Sequence, residues 1–164
     1  MLKVLSAVVV MLMVIGCGPE KSPHVKSGMF QSVSENDAIL VQSGKDKRYC
    51  YKCGMDLVKF YKTSHKATEG DTQHQYCSIH CLEDNLGDGV TLKNPQVVDV
   101  DSLKFIDVNK AFYVVGSDKR GTMTRVSKYA FADEDMAKKF QAKYGGEIMD
   151  FSKALEKAKE DFRK

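Results

Sequence analysis

Neither cysteine nor histidine occurs after Cys81 in this chain of 164 residues. No glycine-rich phosphate-binding loop is present, and no nucleophilic triad is indicated. The 25 Lys and Arg residues are interspersed with 22 Asp and Glu residues, so no basic patch points to a nucleic-acid partner. These absences argue against catalysis and nucleic-acid binding, and they confine any sulfur chemistry to the part of the chain that ends at Cys81.

An apolar run long enough to span a membrane comfortably is also absent. The run Val4–Ile15 follows Lys3 and leads into Gly16 and Cys17, which is the pattern of a bacterial export signal. The order Val-Ile-Gly-Cys at its end resembles the lipobox of bacterial lipoproteins, and this resemblance implies cleavage before Cys17 and lipidation of that cysteine. We therefore expect a signal peptide at residues 1–16 and a lipid anchor on the periplasmic side of the inner or the outer membrane.

Residues 17–37 are expected to form the lipidated N-terminus and a flexible tether, because they are polar and lack a regular apolar period. His24 and Met29 lie in this stretch, and we do not count them as metal ligands, since linker side chains are usually solvated. The rest of the chain is expected to form a metal-binding subdomain at residues 38–110 and a second subdomain with a C-terminal helix at residues 111–164.

Four cysteines form two closely spaced pairs, with two residues between Cys50 and Cys53 and three between Cys77 and Cys81. Such spacings let all four sulfur atoms face one centre, and four thiolates favour tetrahedral zinc. Two disulfides remain an alternative, because the chain is expected in an oxidising compartment, and an empty metal site can also oxidise. A redox dithiol and plain buried thiols are further alternatives.

Met55 favours a different metal, because a thioether adds little to zinc binding but suits copper(I). Gly54, which has no Cβ, permits the tight turn that would bring the sulfur atoms of Cys53 and Met55 together. The sequence therefore predicts two overlapping sites, one for copper(I) and one for zinc.

Ser78 is a candidate N-cap for a helix that contains His80 and Cys81. This would place Cys81 in the first turn, where free backbone amides and the helix dipole favour a thiolate. His80 would point about a quarter of a turn away, so we rank it below the cysteines as a ligand.

The pattern of apolar residues and turns predicts an α+β fold with two similar halves. Each half has the order strand, strand, helix, strand, which indicates a degenerate internal repeat in which only the first copy keeps the sulfur ligands. Asp133 is the candidate N-cap of the second helix. The strands are predicted at residues 38–42, 57–63, 72–77, 95–100, 103–108, 111–116, 124–132 and 147–151, and the helices at 79–86, from 133 to about 144, and from 151 to the C-terminus.

The run Cys53, Gly54, Met55 after an apparent lipoprotein signal resembles the NosL family, the accessory proteins of nitrous-oxide reductase. The order of residues in the second half is similar to that family as well, and the resemblance covers roughly residues 45–151. The matching residues there are Ala111, Phe112, Tyr113, Val114, Met123, Ala130, Phe131, Ala137, Phe140, Gly145, Gly146 and Phe151.

The resemblance implies a membrane-tethered copper(I) chaperone that helps to assemble the copper-sulfide centre of nitrous-oxide reductase. It places copper ligands at Cys53 and Met55, and a further one at Met123, although Thr122 and Thr124 stand where many members have Pro and Gly. Cys50, Cys77 and Cys81 depart from the family and resemble the metal-binding TRASH and YHS modules, so the metal stoichiometry stays open.

A copper(I) carrier is accordingly the leading hypothesis, with His65 as a candidate third ligand and nitrous-oxide reductase or another copper protein as the acceptor. The alternative is a membrane-tethered zinc- or heavy-metal-binding module in which a structural site of four cysteines serves folding. An enzyme is not expected, because Cys50 and Cys53 precede an apparent strand and not the helix that a dithiol oxidoreductase would need. A homodimer in which two protomers share a metal is compatible with the sequence.

Overall fold

The structure is a computed structural model that describes residues 28–162. The expected signal peptide, the expected lipidation site Cys17 and His24 lie outside these residues. Among the helices described, none is both long and apolar enough to cross a membrane.

The first half of the described chain is a four-stranded antiparallel sheet with one α-helix. Its strands have the spatial order β2-β1-β3-β4, with β1 paired on one side to β2 and on the other to β3. The helix α1 connects β2 to β3. The elements are β1 (His65–Glu69), β2 (Thr72–Tyr76), α1 (Ile79–Gly87), β3 (Lys93–Val98) and β4 (Phe105–Asp107).

The second half repeats this arrangement with a three-stranded antiparallel sheet of order β6-β5-β7. The helix α2 connects β6 to β7, as α1 connects β2 to β3, and α3 closes the chain. These elements are β5 (Phe112–Val115), β6 (Lys128–Phe131), α2 (Glu134–Tyr144), β7 (Glu147–Met149) and α3 (Phe151–Phe162). In both halves the first strand is central and the helix follows the second strand, so the predicted α+β fold with a strand, strand, helix, strand repeat is confirmed.

Two predicted strands are absent from the described residues. The segment 57–63 forms turns and a short 3₁₀ helix at Tyr61–Thr63, because the Asp56 carboxylate accepts the backbone N–H groups of Val58 and Lys59 at 2.9 and 3.3 Å. The segment 38–42 runs beside β2 without a backbone ladder. Side chains make its contacts instead, since Gln75 Oε1 accepts the Val41 N–H at 3.1 Å.

The described part of the expected tether, residues 28–37, packs on the folded domain. Phe30 contacts the Tyr129 ring edge-on at a centroid distance of 5.1 Å and the Phe140 ring at 5.7 Å. Gln31 is buried, and its Nε2 donates to the backbone oxygen atoms of Arg120 and Gly121. Any free tether therefore has to end before this segment.

The two halves are joined through a shared core and a backbone bridge. Val100 N–H donates to the Ala130 carbonyl at 2.9 Å, which attaches the segment after β3 to the edge strand β6. The helix α3 packs against α1, with Ala154 and Ala158 buried between the halves. Burial of this apolar surface fixes α1, and with it Cys81, relative to the second half.

Candidate metal centre

A tight turn formed by residues 49–56 presents the first cysteine pair. Cys50 N–H donates to the Met55 carbonyl at 2.8 Å, and Gly54 N–H donates to the Cys50 carbonyl at 2.9 Å. Gly54 has a φ of 72°, a conformation that disfavours residues with a Cβ. Lys52 secures the turn to α1 through ion pairs with Asp84 at 3.1 Å and Asp88 at 2.6 Å.

The second pair lies at the start of α1. Cys77 precedes Ser78, the N-cap residue, and Cys81 lies in the first helical turn. The Ser78 hydroxyl makes no capping hydrogen bond. The start of this helix is therefore arranged around sulfur atoms and not around a side-chain cap.

The four Sγ atoms converge, and all lie within 4.8 Å of one another. Cys77 Sγ is 3.5 Å from Cys53 Sγ and 3.7 Å from Cys81 Sγ. A tetrahedron of sulfur atoms around a metal, with metal–sulfur bonds of about 2.3 Å, has edges of about 3.8 Å. The cysteines thus stand close to the positions that one tetrahedral ion requires.

The cluster is buried on one side and open on the other. Cys50, Cys77 and Cys81 are at most 3% exposed, whereas Cys53 is exposed to solvent. Met55 is half-buried beside the cluster, with its Sδ 3.9 Å from Cys77 Sγ. A fifth sulfur is therefore within reach of an ion held by the cysteines.

The electrostatics of the cluster favour loss of the proton of Cys50 before those of the other three cysteines. Hydrogen bonds from the Cys53, Cys77 and Cys81 thiols hold the pKa of Cys50 far below its usual range. The hydrogen bond to Cys50 raises the pKa of Cys77 and of Cys81, and burial adds to both shifts. For Cys53 the bond with Cys50 raises the pKa, but donation from Cys77 and Cys81 lowers it to about 7. A bound cation would remove the remaining protons, so metal binding is coupled to proton release.

All four cysteines are free thiols in this structure, so the alternative of two disulfides does not describe it. Backbone support for a thiolate is present as well, because Cys77 N–H donates to Cys50 Sγ at 3.3 Å. The residues thus fit a soft or borderline metal ion, which thiolates prefer over hard cations.

Comparison with known proteins identifies the family. The NosL family profile matches residues 41–158, well over half of the chain. The protein belongs to the NosL family. A comparison with curated protein sequences gave no significant match.

A solved structure shares the fold of this NosL-family protein, namely the crystal structure of the copper chaperone NosL from Shewanella denitrificans. It has a TM-score of 0.55 and 23% sequence identity, and the match covers 68% of this chain and 92% of that one. At this identity the likeness shows the fold alone. The resemblance of the extra cysteines to the TRASH and YHS modules stays a prediction.

The histidines predicted as ligands make other contacts. His65 is buried in β1, where its Nδ1 lies 3.0 Å from the Thr63 carbonyl and its Nε2 lies 3.1 Å from the Tyr113 hydroxyl. Because a carbonyl only accepts, Nδ1 carries the proton and Nε2 accepts from Tyr113, so both nitrogen atoms are engaged. Burial lowers the pKa of His65 to about 3, which keeps the ring neutral.

His80 faces the second half of this NosL-family chain. Its Nε2 lies 3.3 Å from Thr124 Oγ1, 3.4 Å from Lys128 Nζ and 3.6 Å from Asp161 Oδ2. Burial, and then the charge of Lys128, lowers the pKa of His80 to about 4. Within the described residues, the group that could hold an ion comprises the four cysteines without either histidine.

Met123 lies on the second half of the chain but shares a surface cleft with Met55. Both residues line one open cleft of about 680 Å³. Met29, which the sequence did not indicate as a ligand, lines this cleft too. The aromatic Phe30 was a local sign that this segment packs on the domain, because aromatic residues are scarce in disordered linkers.

Proposed function

We propose that this protein is a lipid-anchored periplasmic carrier of copper(I) that supplies copper to the copper-sulfide centre of nitrous-oxide reductase. Membership of the NosL family supports this proposal, as does the shared fold with a protein that is named a copper chaperone. The observation that carries it is the convergence of four cysteine sulfur atoms and the Met55 thioether at an edge that leaves Cys53 exposed.

The mixed burial of these ligands suits a carrier. Copper(I) is stable with two or three soft ligands, so five sulfur atoms offer more donors than one ion needs. An acceptor ligand can approach at the exposed Cys53 and bind the ion before the last bond to the carrier breaks. The buried Cys50, Cys77 and Cys81 meanwhile protect the ion from solvent.

Copper(I) affinity tests the binding site. In anaerobic competition with a chromophoric copper(I) chelator, we expect Cys53→Ser to weaken binding about 100-fold and Met55→Leu about 10-fold, since each removes a ligand. Met136→Leu is the matched control, because Met136 lies on α2 in the second half. Unchanged affinity in both site variants would remove Cys53 and Met55 from the copper site.

Transfer tests the carrier function itself. The copper-loaded protein is mixed with copper-free nitrous-oxide reductase in the presence of a chelator that captures released copper(I). We expect the reductase to gain copper under these conditions. Copper(I) that passes from ligands of one protein to ligands of the other is never released into solvent, where the chelator would capture it. If the reductase gains copper no faster from this protein than from the copper–chelator complex, this acceptor is the wrong one.

A structural zinc site is a second candidate, and the sulfur–sulfur distances of 3.5 and 3.7 Å favour it. Four thiolates that close a tetrahedron leave no open position, which is typical of zinc that supports folding. The test is circular dichroism of the protein after stoichiometric zinc loading and again after chelation. Collapse of the fold on chelation would favour the structural site, whereas a carrier should remain folded when empty.

A further inference from the structure

An open cleft beside the cysteine cluster gathers most of the methionines that the structure describes. Of the five methionines within residues 28–162, three line this cleft: Met29, Met55 and Met123. Met29 is 42% and Met123 41% exposed, whereas single exposed apolar side chains are ordinary on protein surfaces. Three thioethers in one cleft form a group, and the ordinary exposure of single apolar side chains does not explain such a group.

Met29 is held in place by its neighbours and does not belong to a free linker. The Ser32 N–H and hydroxyl both donate to the Met29 carbonyl, at 2.9 and 2.7 Å. Gln31 ties the segment to the loop at residues 120–121, and Lys62 N–H donates to the Gln31 carbonyl at 3.0 Å. The segment that bears Met29 is therefore fixed to the loop that leads to Met123.

Met123 is held in an uncommon backbone conformation. Its φ is 71°, in the left-handed region that residues other than glycine rarely adopt. The loop is tight at Gly121, where an added Cβ would lie 2.5 Å from the Thr124 carbonyl oxygen. The Thr122 hydroxyl lies 2.8 Å from that of Thr63, which in turn lies 2.8 Å from the Cys77 carbonyl. The Thr63 hydroxyl therefore links the Met123 loop to the backbone of Cys77.

The remaining groups of the cleft disfavour hard cations. Among the described residues, the one carboxylate that lines the cleft belongs to Asp161, and its Oδ2 pairs with Lys128 Nζ at 2.5 Å. Arg120 and Arg125, which also line the cleft, would repel a divalent ion. Thioethers bind soft monovalent ions well and hard cations poorly, so the composition of the cleft selects copper(I).

We propose that Met29 joins Met55 and Met123 in a second copper(I) site, a thioether site at the mouth of this cleft through which copper enters and leaves the cysteine cluster. The proposal rests on the proposed function, and it adds a site that the cysteine spacing does not reveal. Neutral thioethers hold copper(I) more weakly than thiolates do, so this site fills after the cluster. Met55 Sδ lies 3.9 Å from Cys77 Sγ, close enough for one ion to contact both atoms on its way inward.

The test is nuclear magnetic resonance of the full chain in detergent, with ¹³C-labelled methionine methyl groups, during anaerobic titration with copper(I). We expect the first equivalent to shift the Met55 methyl signal and the second to shift those of Met29 and Met123. The signals of Met136 and Met149, which do not line the cleft, should stay in place. Met29→Leu should weaken binding of the second equivalent about 10-fold and leave the first unchanged.

Met136→Leu is the matched control for that variant and should change neither affinity. A Met29 signal that stays in place through two equivalents would overturn the thioether site, as would a second affinity within twofold of wild type in Met29→Leu. Failure of the proposed function has a different signature, namely loss of tight binding of the first equivalent. The two proposals can therefore fail separately.

Discussion

The two halves of the fold start their helices at matching positions but stabilise those starts differently. In the second half the Asp133 carboxylate accepts the Met136 N–H at 3.0 Å, which is a regular N-cap. In the first half Ser78 occupies the N-cap position and makes no such bond. The second half thus caps its helix with a side chain, whereas the first half has the sulfur cluster at its helix start.

The flanking residues show the same division. Cys77 precedes the N-cap of α1 as Ala132 precedes that of α2, and Cys81 holds the helical position that Met136 holds in the second half. The backbone therefore does not require sulfur at these positions. The same backbone supports either a structural helix start or a metal centre, and the presence of the cysteine side chains decides between the two.

Metal loading should produce the largest difference in local stability between the two halves. A ligand at about 1,000 times its dissociation constant stabilises the state that binds it by about 4 kcal/mol. We expect slower amide hydrogen exchange in residues 49–57 and α1 on copper(I) loading, with little change in α2. Chelation should reverse the effect, and equal protection of both helices would contradict a cluster that acts on the first half alone.

Removing one buried ligand is expected to have the next largest effect. Cys77→Ser should weaken copper(I) binding at least 100-fold, about 2.7 kcal/mol, because Cys77 Sγ lies 3.5 Å from Cys53 Sγ, 3.7 Å from Cys81 Sγ and 3.9 Å from Met55 Sδ. The matched variant is Ala132→Ser at the equivalent position of the second half, which should leave binding unchanged. Competition titration measures both, and similar losses in the two variants would indicate a general effect on folding.

Copper(I) affinity should rise with pH, because protons compete for the thiolates. The pKa of Cys53 is lowered to about 7, so below pH 7 this thiol must lose a proton to bind, and that one proton lowers affinity by up to about 10-fold per pH unit. Above pH 7 Cys53 adds no slope, while the raised pKa values of Cys77 and Cys81 still do. Cys53→Ser should flatten the dependence between pH 5.5 and 7, and an unchanged slope in that range would exclude Cys53 as a ligand.

Removal of a helix cap should have the smallest effect, and this effect should appear in the second half of the chain and not in the first. Asp133→Ala removes a capping bond and should lower the free energy of unfolding by about 1 kcal/mol. Ser78→Ala removes no cap and should change it by less than about 0.5 kcal/mol. Urea denaturation of the metal-free protein measures both values, and a larger loss for Ser78→Ala would reverse the comparison.

Local patterns in the sequence were sufficient for the cysteine cluster and for most of the fold. The spacing of Cys50, Cys53, Cys77 and Cys81 predicted one centre because short spacings constrain where the sulfur atoms can point. Glycines and turns located the hairpins, and the helical period of the apolar residues located α2 and α3. The strand predicted at residues 57–63 was wrong because Asp56 captures two backbone amides, a contact that alternation of side chains does not reveal.

The remaining features depend on contacts between distant parts of the chain. His65 was a candidate third ligand because a neutral imidazole suits copper(I), but the fold pairs it with Tyr113 of β5. Met29 was assigned to a tether because the polar residues around it have no period, yet Phe30 packs against the second half. Neither contact follows from spacing along the chain, since each joins elements that only the tertiary fold brings together.

The sulfur cluster should bind copper(I) in a domain that is folded before the metal arrives. Anaerobic titration of the reduced protein with copper(I) and, separately, with zinc(II), followed by chelator competition and circular dichroism together, tests it most directly. We expect tight copper(I) binding that weakens in Met55→Leu, with the same folded spectrum before and after loading. Zinc held by four cysteines with no dependence on Met55, in a domain that unfolds when zinc is removed, would contradict it.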